Sequence, residues 1–211
     1  MKQIIGYIEY DYMSIKSGIL YMIAVFEAIT LVFATRSGAG AVGYMLFAAL
    51  ILAGTTFGAA KQAVPFTSLV PGNILQKVLG RYLSGVLCVI LCTLLGMTTA
   101  GVVKLAGHDN GKMELPVLSG LVGITLLFLA VQNVMLYLLI PYLGVQFTSL
   151  VRTVPGFILF FFVMNINNTE IMSAILQYGD VLGFILLGIG AASIAAAVFV
   201  SCLIIRNRDN E

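Results

Sequence analysis

The segment from Tyr82 to Val103 decides the fold class of this chain. It reads YLSGVLCVILCTLLGMTTAGVV and contains no charged residue. A helix needs about 20 mostly apolar residues to cross the hydrocarbon core of a bilayer. Because backbone polar groups in lipid must be satisfied within the segment itself, an apolar run of this length predicts a membrane-spanning α-helix.

The composition of the whole chain agrees with this assignment. Of its 211 residues, 60% are hydrophobic and only 9% are charged, and the mean hydropathy is +1.06. Soluble domains carry about 25% charged residues. The formal net charge of +2 gives no basic surface of the kind that nucleic acids need. The composition therefore predicts one membrane-embedded domain whose surroundings are lipid, with no nucleic-acid partner.

Five other stretches are also long and apolar, and polar residues mark their ends. With the first segment they predict an all-α membrane protein with six transmembrane helices in residues 18–205. The five other predicted spans are Gly18–Thr35, Ala41–Ala60, Leu118–Ile140, Leu143–Met164 and Val181–Ile205.

The loop between the second and third predicted spans, Lys61–Arg81, is polar, contains two prolines and carries three basic residues. With six spans, eight of the eleven basic residues fall on the side of the membrane that holds this loop and both termini. The positive-inside rule places that side in the cytoplasm. The Pro141–Thr153 loop is predicted to lie there too, whereas the His108–Pro116 link faces outward.

Residues 1–17 are predicted to form an amphipathic helix in the cytoplasmic interface of the membrane. Its apolar residues can share one side at helical spacing, and its tyrosines suit the level of the lipid headgroups. Residues 206–211 form a short cytoplasmic tail. The residues of the apolar side are Ile4, Ile5, Ile8, Tyr12 and Ile15.

Three polar side chains fall inside predicted spans and form a possible intramembrane polar site. Glu27 lies near the middle of the first span, and Gln132 and Asn133 lie in the fourth. A carboxylate at this depth is costly, so Glu27 should face protein, water or a partner. It is either a proton, cation or substrate-path site, or a carboxyl group hydrogen-bonded to a neighbouring helix. Gln132 and Asn133 are its candidate partners, unless they bond to other helices instead.

Catalytic and metal-binding patterns are absent from the sequence. The one histidine, His108, has no nucleophile-elbow pattern near it. Cys88 and Cys92 share a helix face without a third ligand, which favours small buried residues over a metal site. No Gly-x-x-x-x-Gly-Lys-Ser/Thr loop occurs, so a separate chain would have to bind any ATP. The chain is predicted to be non-catalytic and to hold no cofactor.

Three segments carry a family resemblance. Tyr10–Lys16 runs from an acidic to a basic residue at the entry of span one. Ser68–Leu83 follows a proline with a basic helix and ends with a tyrosine that enters span three, and Ile140–Arg152 has a proline-marked turn followed by an arginine. In these features the chain resembles the permease subunit of ABC-2 type transporters, in the small six-span branch. Within it, the chain is most similar to permeases that export amphipathic peptide toxins such as phenol-soluble modulins.

The resemblance implies a location in the bacterial cell membrane and two kinds of protein partner. A second permease chain would pair with this one as a homodimer, and a separate ABC ATPase subunit would bind ATP and Mg²⁺. Ser68–Gly80 would be the cytoplasmic coupling helix that docks on the ATPase, with Asn73 as its cap. The implied coupling residues are Pro71, Gly72, Asn73, Ile74, Leu75, Lys77, Val78 and Arg81, with Pro141 and Arg152 in the second cytoplasmic loop. The candidates for lining a cargo path are Phe160, Phe161, Phe162 and Met164.

Two other functions remain open at this point. Six spans also suit the substrate-binding membrane subunit of an energy-coupling vitamin importer, which would need convergent polar side chains within its spans. Glu27, Gln132 and Asn133 are the residues that offer them. The third possibility is a structural or regulatory membrane protein that transports nothing.

Overall fold

The computed structural model describes residues 2–62, 73–108, 114–139, 145–166 and 179–208. In these ranges the chain is all-α and forms six helices, which confirms the predicted class. The helices are α1 (Lys2–Ala34), α2 (Gly38–Gln62), α3 (Ile74–Leu105), α4 (Leu115–Leu139), α5 (Val145–Ile166) and α6 (Gly179–Arg208).

Four of these helices are long and apolar enough to cross a membrane. Their apolar windows are Gly38–Thr55 in α2, Ile74–Leu105 in α3, Leu115–Leu139 in α4 and Val181–Asn207 in α6. The apolar stretches of α1 and α5 are shorter, Leu20–Ala34 and Ser149–Phe161. The four helices support the prediction of a membrane protein. That α1 and α5 also cross the membrane stays a prediction.

Two predicted boundaries inside helices do not occur. The sequence suggests an interfacial helix over residues 1–17 followed by a separate span, but α1 runs unbroken from Lys2 to Ala34. Likewise, the part of the expected coupling helix that begins at Ile74 continues directly into the third predicted span as α3. Neither helix contains a proline, so no residue interrupts the backbone hydrogen bonds at the expected junctions. The position of these segments relative to the membrane stays a prediction.

Helix α2 lies at the centre of the bundle. In its apolar window 89% of the residues are buried, against 17% in that of α6. Its aromatic side chains join α1 to α5: Tyr44 stacks on Phe33 at 5.1 Å between ring centroids, and Phe47 meets Phe157 at 5.6 Å. Phe160 also packs into this cluster, 5.6 Å from Phe47. It therefore contributes to the packing of three helices.

Helices α4 and α6 pack in parallel through small residues that repeat every seven positions. A Cβ added to Gly183 would meet the carbonyl of Pro116, and one added to Gly190 would meet Gly123. The two partners of each contact are 67 residues apart in the sequence. Ala130 and Ala197 have the same separation and belong to one buried cluster. Small residues let helix backbones approach closely, and packing of this kind drives helix association in lipid.

Helix α6 also carries a four-residue repeat of small residues, Gly188/Ala192/Ala196. All three residues are exposed in the structure. A Cβ on Gly188 would meet nothing within 4 Å. The repeat that packs inside the chain is the seven-residue one, because it lies on the side of α6 that faces α4.

Helices α1 and α3 are also parallel. Tyr7 lies against Gly80, and Glu27, twenty residues further along α1, bonds to Thr99, nineteen residues further along α3. With a rise of about 1.5 Å per residue, the two helices stay together over about 30 Å. Helix α2 runs antiparallel to α1, since Phe26 meets Phe47 whereas Phe33 meets Tyr44.

Candidate functional site

The start of α3 is a capped helix terminus. Asn73 has extended backbone angles, and its side chain accepts a hydrogen bond from the Ile74 amide at 3.0 Å. The Gln76 side chain accepts one from the Asn73 amide at 3.2 Å, which completes a capping box. The predicted capping role of Asn73 is therefore confirmed. Pro71 and Gly72 lie outside the described residues.

The apolar residues expected to form one docking face at this helix start do not share a surface. Val78 is fully buried and packs with Tyr82, and Ile74 lies against the same cluster. Leu75 is 53% exposed. A partner could therefore contact Leu75, whereas Val78 belongs to the interior of this chain. Lys77 and Arg81, one helical turn apart, are half-buried beside them.

Two contacts fix the beginning of α3 to the rest of the bundle. A Cβ on Gly80 would lie 3.0 Å from the Cβ of Tyr7, so α1 and α3 approach closely here. Tyr7 is buried, and this burial raises the pKa of its hydroxyl above the ordinary value. Two residues later in α3, the hydroxyl of Tyr82 hydrogen-bonds that of Ser201 in α6 at 3.0 Å, with both residues buried. The start of α3 is thus attached to both α1 and α6.

The second predicted cytoplasmic site is described only in part. Arg152 falls within α5, and its side chain lies outside the described part of the structure. Pro141 also lies outside it, as do the side chains of Phe162 and Met164. Of the residues proposed to line a cargo path, Phe160 packs in the aromatic cluster and Phe161 is 64% exposed.

Glu27 is paired with a residue that the sequence does not suggest. Thr99 of α3 donates a hydrogen bond to the Oε1 atom of Glu27. The other carboxyl oxygen, Oε2, is buried and has no hydrogen-bond partner. The thiol of Cys92, two turns before Thr99, interacts electrostatically with the same carboxyl group. The site around Glu27 therefore lies between α1 and α3.

Gln132 shows the second of the two arrangements that the sequence leaves open, a bond to another helix. The Gln132 side chain donates to the main-chain carbonyl of Leu50 in α2 at 3.2 Å. Asn133 is 1% exposed, and neither its Nδ2 nor its Oδ1 atom has a hydrogen-bond partner. Buried polar atoms are nearly always hydrogen-bonded, so Asn133 is an exception that needs an explanation.

Thr99 and Ser201 are the two site residues that sequence reasoning misses. Each is a hydroxyl in an apolar helix, and such a residue can always bond to its own backbone four positions earlier. Composition alone therefore does not distinguish it from a side chain that reaches another helix. The available signal is weak. It is the presence of a polar residue at the same depth of another span, which is Glu27 for Thr99 and Tyr82 for Ser201.

Two further groups of side chains bear on chemistry, the potential metal ligands and the cysteines. In the ranges that the structure covers, no three His, Cys, Asp or Glu side chains come together to hold a metal. Cys88, Cys92 and Cys202 form no disulfide. The polar arrangements among the described residues are helix-to-helix contacts and capped helix starts, such as those at Asn73 of α3 and Ser37 of α2.

Comparison of the chain with protein-family models, curated proteins and solved structures finds no match.

Proposed function

We propose that this chain is the permease subunit of an ATP-driven exporter of the ABC-2 type. It would pair with a second permease chain and rest on a separate ATPase subunit that binds ATP and Mg²⁺. The cargo would be amphipathic or hydrophobic, such as a peptide toxin. The observation that carries the proposal is the start of α3, a capped terminus that follows the polar loop and is attached to α1 and α6.

This arrangement suits the transmission of force. A helix start that a partner pushes on must be rigid and must be connected to the elements that are to move. The capping box makes the first turn of α3 rigid, while Gly80 and Tyr82 link it to α1 and α6. Movement of the α3 start would then shift three helices as rigid elements, and a path between two permease chains would open.

The helix directions favour the finer prediction of six spans. Helices α1 and α3 run parallel, α4 and α6 run parallel, and α2 runs antiparallel to α1. A chain that crosses a membrane six times in alternating directions has these relations. We therefore propose that α1 and α5 also cross, with both termini in the cytoplasm of a bacterial cell as the basic residues indicate.

Co-purification with the ATPase tests the coupling site. Leu75 is exposed in the first turn of α3, and Leu105 is 90% exposed at the other end of the same helix. Leu75→Asp should abolish co-purification of the ATPase and transport, because it puts a charge into the apolar docking contact. Leu105→Asp is the matched control and should leave both unchanged. Equal ATPase recovery with the two variants would contradict the docking assignment.

Charge reversal gives a second matched comparison. Lys77→Glu with Arg81→Glu changes the start of α3, and Lys104→Glu changes its last turn. The first pair should weaken ATPase association, and the single change at Lys104 should not. If the purified chain instead carries no ATPase in any form, the permease proposal is wrong.

One observation favours the alternative of a substrate-binding subunit of a vitamin importer. The buried amide of Asn133 has an unused donor and an unused acceptor, as a binding site would. Against this, Glu27 is hydrogen-bonded to Thr99 and Gln132 to the Leu50 carbonyl, so two of the three polar side chains have partners within the chain. A small molecule that purifies with the wild type and is lost in Asn133→Leu would support the importer function.

A further inference from the structure

The buried amide of Asn133 in α4 contributes no hydrogen bond to the arrangement of helices described above. Its side chain is 1% exposed, and among the described residues neither Nδ2 nor Oδ1 has a hydrogen-bond partner. Leu129 and Leu136, about one turn to either side on the same helix, are fully buried. Burial of an amide without hydrogen bonds is unfavourable, and nearly all buried polar atoms in proteins avoid it. The amide therefore indicates a second arrangement of the helices, in which it is paired.

Helical spacing places Asn133 on the side of α4 that faces α3. Leu129, four residues earlier, lies against α3, where a Cβ on Gly85 would be 3.0 Å from its Cδ2 atom. Tyr137, four residues later, interacts electrostatically with Tyr82 of α3. Residues four apart share a helix face. Asn133 therefore lies between the levels of Gly85 and Tyr82.

The hydroxyl of Tyr82 is a partner that Asn133 can gain when the helices move. Tyr82 belongs to α3, so its distance from Asn133 changes when α3 and α4 shift, whereas the distance from Asn133 to Tyr137 of the same helix is nearly fixed. In the structure the Tyr82 hydroxyl is bonded to that of Ser201 in α6 at 3.0 Å. A phenol hydroxyl both donates and accepts hydrogen bonds, so it suits either polar atom of the amide. Tyr82 thus lies between a partner on α6 and a partner on α4.

We propose that the hydroxyl of Tyr82 exchanges partners, from Ser201 of α6 to Asn133 of α4, in a second arrangement of these helices. The exchange leaves no hydroxyl unpaired, because a serine in a helix can bond to the main-chain carbonyl one turn earlier. It also gives the Asn133 amide a partner that it lacks in the structure. Against these gains stands the packing of Tyr82 with Val78 and Ala197, which the exchange disturbs. Opposing terms of this kind produce two arrangements of similar free energy.

The exchange moves the attachment of α3 from α6 to α4. Tyr82 lies about two turns after the capped start of α3, so a force on that start acts on this contact. An ATPase that pushes on the start of α3 would select one of the two arrangements. The exchange itself rests on contacts within this chain and does not require an ATPase.

Labelling of Cys202 with a maleimide tests the exchange in the full chain, held in lipid nanodiscs. Cys202 follows Ser201, is half-buried and interacts electrostatically with Tyr82. When Tyr82 leaves α6, this thiol becomes more accessible, so its labelling rate measures the population of the second arrangement. Cys88→Ala with Cys92→Ala removes the other two thiols and gives the reference protein.

Asn133→Leu should lower the labelling rate of Cys202 about two- to tenfold, because it removes the second partner of Tyr82. This range corresponds to the net free energy of one hydrogen bond. Val131→Leu is the matched control and should leave the rate unchanged, since Val131 is 52% exposed on the same helix. If Asn133→Leu does not fold, Asn133→Ala removes the same amide.

A double-mutant cycle separates the exchange from a general effect on stability. In Tyr82→Phe the hydroxyl is absent, so Asn133→Leu should then leave the labelling rate unchanged. An effect of Asn133→Leu that depends on the Tyr82 hydroxyl supports the exchange, and it does so without recovery of any ATPase. An equal effect with and without that hydroxyl, or no effect in either case, overturns it.

Discussion

Gly190 of α6 lies against the main-chain carbonyl of Gly123 of α4, so the backbones of two helices touch at this point. A side chain of any size on Gly190 would enter the neighbouring backbone, which cannot yield as a flexible side chain can. The α4–α6 pair therefore depends on glycine at this position.

Gly190→Ala is expected to destabilise the protein by about 1–3 kcal/mol, the usual cost of overpacking a tight contact. Gly188→Ala is the matched control, since a Cβ there meets nothing within 4 Å. Because alanine favours a helix more than glycine does, this control should be neutral or slightly stabilising. Thermal unfolding in detergent measures both, and equal melting temperatures would contradict the α4–α6 contact.

The Tyr82–Ser201 hydrogen bond should show an asymmetric response to mutation. Ser201→Ala leaves the Tyr82 hydroxyl buried without a partner, which costs about 1–3 kcal/mol. Tyr82→Phe should cost less, because a serine hydroxyl in a helix can bond to its own backbone. The double variant should lose less stability than the sum of the single ones. A strictly additive double-mutant cycle would show that the two hydroxyls do not interact.

Gly80→Ala should loosen the first part of α1 from α3. Its Cβ would lie 3.0 Å from the Cβ of Tyr7, closer than normal van der Waals contact, so α1 must shift. The expected result is faster proteolysis of the N-terminal half of α1 in detergent. Gly101→Ala in the same helix is the control, because a Cβ there meets nothing within 4 Å. Cleavage at equal rates in both variants would argue against the Tyr7–Gly80 contact.

Two neighbouring amides in α4 should respond in opposite directions. Asn133→Leu replaces a buried amide without partners by an apolar group of similar shape, and should stabilise the protein by about 1–3 kcal/mol. Gln132→Met removes the bond to the Leu50 carbonyl, and should destabilise it by about 0.5–1.5 kcal/mol. A loss of stability in Asn133→Leu would mean that this amide has a partner, such as a bound molecule.

The fold class and most helix positions follow from the sequence because they depend on local properties. An apolar run such as Tyr82–Val103 must satisfy its own backbone in lipid, so it forms a helix wherever it packs. The Asn73 cap is equally local, since its partners lie within three residues. The continuity of a helix is local too. Because no proline interrupts Tyr10–Lys16 or Ile74–Gly80, both segments continue into longer helices.

The partners of these helices were decided by the tertiary structure alone. Glu27 reaches Thr99 across 72 residues and Tyr82 reaches Ser201 across 119, distances over which periodicity carries no information. Helix α6 contains a four-residue and a seven-residue repeat of small residues, and its sequence favours neither. Only the direction from which α4 approaches selects Gly183 and Gly190 for contact and leaves Gly188 exposed. Hydropathy thus determines that segments become helices, whereas complementary shape and the few buried polar atoms determine which faces meet.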